Sequence, residues 1–174
     1  MENSYLIQST EYRNTKTIPV SGEFAGDQEQ EQVISADLSW GAMEFIYTPF
    51  VEWNPETHTY EPVEGQEPIW ELAPDTSAMI LLMNHSNVPL SVGLKFDGND
   101  KLNIEGEFYV TYDTGREEVI TGFLVASAEG SSVQNPPLGW GHLRITGGEI
   151  PEDAAPAEMI GVVTVTISPV DIEA

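Results

Sequence analysis

Three histidines, 29 acidic residues and no cysteine set the chemistry open to this chain of 174 residues. Thiol nucleophiles, disulfides and thiolate metal sites are excluded, because each needs a cysteine sulfur. His58, His85 and His142 stand far apart, and none belongs to His-Glu-x-x-His or to another spacing that brings imidazoles together on a metal. No Gly-x-Ser-x-Gly elbow or Walker-type loop is present, and the run Gly130-Ser131-Ser132 is ordinary loop composition. A glycosidase needs only two carboxylates about 5 to 10 Å apart. So many acids meet that need in number, but no spacing singles out a pair. The expectation is a protein without catalytic activity.

Hard oxygen ligands make calcium the inorganic partner to consider, with Asp97, Asn99 and Asp100 as the candidate ligands in "DGNDKLNIE" and Glu105 close behind. An EF-hand register fails there, because its fifth position would be Lys101 and its twelfth Phe108. The Asp-Gly pair favours a tight reversal between strands instead. The aromatic run "WNPETHTY" offers a second candidate site. Asn54 suits the first position of a type I turn, its side chain accepting the amide hydrogen of Glu56, and Pro55 supplies the φ of the second. A four-residue loop over Asn54 to Thr57 would set Trp53 opposite His58 and Val51 opposite Tyr60, with all four side chains on one face. Such aromatic cross-strand pairs contribute up to about 1 kcal/mol each and clasp a hairpin without any ligand. The functional alternative is an exposed platform of Trp53, Tyr60 and Trp70, extended by Trp140, that stacks on a sugar or a neighbouring chain. Trp40, at the end of "DLSW", is the tryptophan expected in the core.

The elements that must position these residues are strands. Alternation of period two with β-branched and aromatic residues dominates, and no dozen residues carry a helical stripe. Strands are expected at 16–24, 32–40, 43–48, 50–53, 58–61, 69–72, 78–84, 89–96, 105–112, 117–127, 139–146 and 161–168. "FDGNDK" and "YDTGRE" mark reversals, while "QNPPLG" and "GGEIPEDAAPAE" mark longer loops, the second with room for one turn of helix. Many short strands joined in this way imply an all-β antiparallel β-sandwich, Ig-like or jelly-roll-like, with almost no helix. "AMILLMN" is apolar at five consecutive positions, Met79 to Met83, and is expected at the centre of its sheet with both faces covered.

Length and composition fit one domain: residues 1–14 as an N-terminal tail and 15–174 as a single sandwich. Within it, 15–25 reads as an exchangeable strand joined to the body by the acidic linker 26–32, because a tethered strand can complete its own sheet or a neighbour's. A net charge of −23 repels nucleic acid and anionic lipid and leaves cations, neutral glycans and basic proteins as partners. No stretch approaches the roughly 20 apolar residues of a membrane span, and the residues after Met1 are polar rather than a basic and then apolar leader.

The run Ile34 to Glu61 resembles secreted or surface-exposed proteins of Gram-positive gut bacteria. The likeness rests on Ser39-Trp40, then Met43, Phe45 and Tyr47 at alternate positions, then Trp53 to Tyr60, and it reaches across roughly the first third of the chain. "VTVTIS" (163–168) is similar to the ends of such chains. The resemblance implies export and a β-sandwich at the cell surface or in a filament, and it carries no enzymatic role. More loosely, the chain is similar to the sandwich subunits of Gram-positive matrix fibres, which exchange terminal strands. The expectation is therefore an extracellular structural or adhesive subunit that associates with itself or another surface protein, with a carbohydrate-binding module using Trp53, Tyr60 and Trp70 as the alternative.

Overall fold

In the computed structural model, which describes residues 3–8, 31–148 and 159–170, every strand pairing is antiparallel and the described residues contain no helix. The strand expected at 16–24, most of the linker 26–32 and most of the loop after Gly148 lie outside the described residues. The larger sheet has the order β1 (Asn3–Gln8), β2 (Ser35–Trp40), β7 (Met79–Asn84), β12 (Leu138–Gly147), β9 (Ile104–Thr111), β10 (Glu117–Ile120). The smaller sheet has the order β11 (Gly122–Val125), β8 (Leu90–Gly98), β13 (Gly161–Pro169). Two ribbons, β3 (Phe45–Thr48) with β6 (Ile69–Leu72) and β4 (Val51–Asn54) with β5 (Thr59–Pro62), form an arm between β2 and β7.

Side chains two apart share a face, so register decides what is buried. Leu38 lies opposite Leu82, Trp40 opposite Ile80, and Leu143 opposite Phe108, which gathers them on one face of the larger sheet. Leu90, Val92 and Leu94 of β8 and Val125 of β11 meet them from the smaller sheet, and together they form the buried core. Full burial of each such side chain is worth about 1.5–3 kcal/mol. This is the expected antiparallel sandwich.

Three features depart from the sequence reading in detail. Strand β7 is interior to its sheet as expected, yet only Ile80, Leu82 and Asn84 are buried, while Met79, Leu81 and Met83 on the other face are half-buried. No second layer covers that face among the described residues. The strand expected at 117–127 breaks at Thr121, with β10 in one sheet and β11 in the other. The corner is closed by the Leu94 amide, which donates to the Thr121 carbonyl at 2.8 Å, and by Gly122, where a Cβ would collide with the Val92 carbonyl oxygen. Finally, Asn3–Gln8, inside the stretch read as a tail, run antiparallel to β2.

One buried polar network pins the sheets together at an end. Asn84, with 0% of its surface exposed, donates from Nδ2 to the carbonyls of Val88 (2.9 Å) and Ala126 (2.8 Å) and accepts the Ser86 amide at 2.8 Å. The Ser86 hydroxyl donates to the Ser35 carbonyl and accepts the Ser35 amide, both at 3.0 Å, so the start of β2 is held as well.

Candidate functional site

The arm carries the aromatic run. Asn54 Oδ1 accepts the Glu56 amide at 2.9 Å, as the turn chemistry requires. The register differs from the expected one: Asn54 pairs with Thr59, Trp53 with Tyr60 and Val51 with Pro62, leaving Pro55 to His58 as the loop. His58 closes the turn at φ 53°, a left-handed conformation that histidine tolerates better than most residues, and Asn54 is thereby drawn into the ladder. Glu61 clamps the corner, accepting Asn54 Nδ2 at 2.8 Å and the Thr57 hydroxyl at 2.6 Å. The hydrogen bonds from Thr57 and Asn54 hold its carboxyl below the usual range.

The clasp forms despite the changed register. Trp53 meets Tyr60 edge to face with ring centroids 5.3 Å apart, and the His58 ring lies parallel to the indole at 6.1 Å. Trp53 and Tyr60 remain 51% and 63% exposed, but their planes stand 68° apart and His58 occupies one indole face. A flat two-ring platform is not what this geometry presents. Trp70 serves elsewhere: its Nε1 donates to the Gly147 carbonyl at 2.7 Å and its ring packs on Tyr47 at 5.0 Å, fastening the arm to the end of β12. Trp40 sits on the inner face of β2 against the core.

Two of the three calcium candidates, Asp97 and Asn99, are engaged in the β8–β9 reversal. Asp97 pairs with Lys95 at 2.6 Å, and Asn99 Oδ1 accepts the Lys101 amide at 3.1 Å while its Nδ2 donates to the Met159 carbonyl at 3.3 Å. Among the described residues no group of three or more His, Asp or Glu is placed to hold a metal. The histidines are likewise dispersed. His85 lies 3.3 Å from Asp37, and His142 packs beside Tyr109, where burial pushes its pKa below the ordinary value. Arg144 spans Glu107 (2.6 Å) and Glu117 (3.0 Å) across β9, β12 and β10.

The sequence reading missed a broad concave feature of the described residues. The larger sheet extends past the smaller one on the β1–β2 side, and the step leaves a cleft of about 500 Å³. Its walls are Leu38, Trp40 and Phe45 on one side and Phe96, Val163 and Val165 on the other. Every described residue that lines it is apolar or glycine, so its walls suit apolar side chains. Along its rim runs β13, which among the described residues is hydrogen-bonded on one side only, to β8. The nine residues of β13 include no charge, whereas the opposite edge of the larger sheet, β10, carries Glu117 and Glu118. Long, uncharged, β-branched edges invite a further strand, and charges on an edge prevent one.

Comparison with protein-family models, with curated protein sequences and with solved structures finds no match to this chain. The resemblance of Ile34 to Glu61 to Gram-positive surface proteins therefore rests on those residues alone.

Proposed function

We propose that this protein is a non-catalytic structural or adhesive subunit of the extracellular space or cell surface, held to its neighbours by strand addition at β13. One observation carries the reading: an uncharged nine-residue edge beside an apolar cleft, in a chain whose net charge is otherwise −23. An added strand gains backbone hydrogen bonds from β13 and buries alternate side chains against Leu38, Trp40 and Phe45. The sequence offers its own donor in 15–25, where Ile18 and Val20 fall on one face by period two. The resemblance of Ile34 to Glu61 supports the extracellular setting.

The ladder supplies a selective test. The Val170 amide bonds to Pro89 and the Asn99 amide to Ile160, so even-numbered residues of β13 bond to β8 and odd-numbered ones direct N–H and C=O to the rim. Val165→Pro removes a rim donor while sparing the β8 ladder. Light scattering after size exclusion should show oligomers of the full chain that Val165→Pro and removal of residues 1–25 both reduce to monomers. A wild-type chain that stays monomeric at high concentration refutes the reading.

The carbohydrate-binding alternative at Trp53, Tyr60 and Trp70 has less support, since Trp70 is committed to Gly147 and the two exposed rings are not coplanar.

A further inference from the structure

The larger sheet opens at one end where two of its strands part. β12 pairs with β7 over Leu138 to His142 but with β9 only from His142 to Gly147. Before His142, a slot of about 400 Å³ separates Trp140 from the end of β9 and its turn, Val110 to Asp113, with Ile120 and Phe123 beneath. The Leu143 amide donates to Ala78 and the Asn84 amide to Pro137, so odd-numbered residues of β12 bond to β7. Trp140 therefore turns its N–H and C=O towards the slot, where β9 offers no pairing.

The walls combine three kinds of group. Trp140, 39% exposed, gives an apolar ring surface, while Thr111 gives a hydroxyl and Asp113 a carboxylate. Asp113 stands apart from the local ion pairs, in which Arg116 binds Glu118 and Arg144 binds Glu107 and Glu117. An anion finds no cation among the described residues of the lining and meets a net charge of −23. An aromatic cage for a cation would need a second open ring, but Arg116 already lies over Tyr112 at 5.7 Å and the Phe123 ring is packed against the backbone of Gly139 and Gly141. The remaining chemistry is a neutral ring with an apolar face and a hydroxyl edge. Its face would lie on the indole, and its hydroxyls would donate to Asp113 and exchange hydrogen bonds with Thr111 and the Trp140 backbone.

We infer that the slot between β9 and β12 is a binding site for a neutral pyranose. Among the described residues the site shares none with the β13 cleft, so either can fail without the other. Saturation-transfer NMR with maltose, cellobiose, lactose and diacetylchitobiose tests it. At least one of these sugars should bind saturably to the full chain. Affinity should fall about tenfold or more in Trp140→Leu and in Asp113→Asn, and stay unchanged in Trp53→Ala. Asp113 is exposed in a turn, so its variant keeps the fold, and thermal unfolding of both variants separates lost binding from lost structure. Absence of binding by all four sugars, or binding that survives both Trp140→Leu and Asp113→Asn, overturns the inference.

Discussion

Asn84 ends an apolar strand, where the sequence shows only a polar residue that precedes a turn. Its three hydrogen bonds inside the sandwich give it a different weight, because truncation strands two carbonyls and an amide away from water. Asn84→Ala should cost about 2–4 kcal/mol in urea unfolding. Asn84→Asp should also destabilise, since it removes both Nδ2 donors. His142 gives the pH dependence. Its folded-state pKa lies below the ordinary 6.5 because burial disfavours the imidazolium, so the unfolded chain takes up the proton first as pH falls. This contribution is complete above the unfolded value and is lost as pH drops from there through the folded value. His142→Asn should therefore lose less stability than the wild type between pH 7 and pH 5, measured by denaturant unfolding at each pH. The difference between the two proteins isolates His142 from the carboxylates.

Strands were legible in the sequence because period two is a local signal; their partners were not, because pairing joins segments far apart in the chain. The stretch 117–127 alternates without interruption, and only the approach of Val92 to Gly122 makes it turn from one sheet into the other. Gly122→Ala should cost about 1–3 kcal/mol or more in thermal or urea unfolding, because the collision is with backbone that is itself held in a ladder. At "WNPETHTY" the turn chemistry of Asn54 was readable, and the register slipped because His58 takes a left-handed conformation that composition alone does not assign. Candidate sites fared according to the same rule. The Trp53–Tyr60 contact is local and was anticipated as a shared face. The fastening of Trp70 to Gly147, the cleft beside β13 and the slot beside Trp140 all depend on sheet order and the unequal widths of two sheets.

At the scale of the whole molecule, charge and edge act in opposite directions. A net charge of −23 sets copies of the chain against one another and each carboxylate against its neighbours, and salt screens both effects over a Debye length of about 10 Å at 0.1 M. Raising sodium chloride from low to physiological strength should raise the melting temperature, by about 2–4 °C for each kcal/mol of repulsion screened. It should also favour oligomers in light scattering. Under the proposed assembly, the uncharged β13 is where association would proceed against a background of repulsion. Residue-resolved amide hydrogen exchange on the full chain tests this most directly. The amides of Val163, Val165 and Ile167, which face the rim, should gain protection as protein concentration rises, while those of Thr164 and Thr166 are protected throughout by β8. Rim amides that exchange at one rate across the whole concentration range would contradict assembly through this edge.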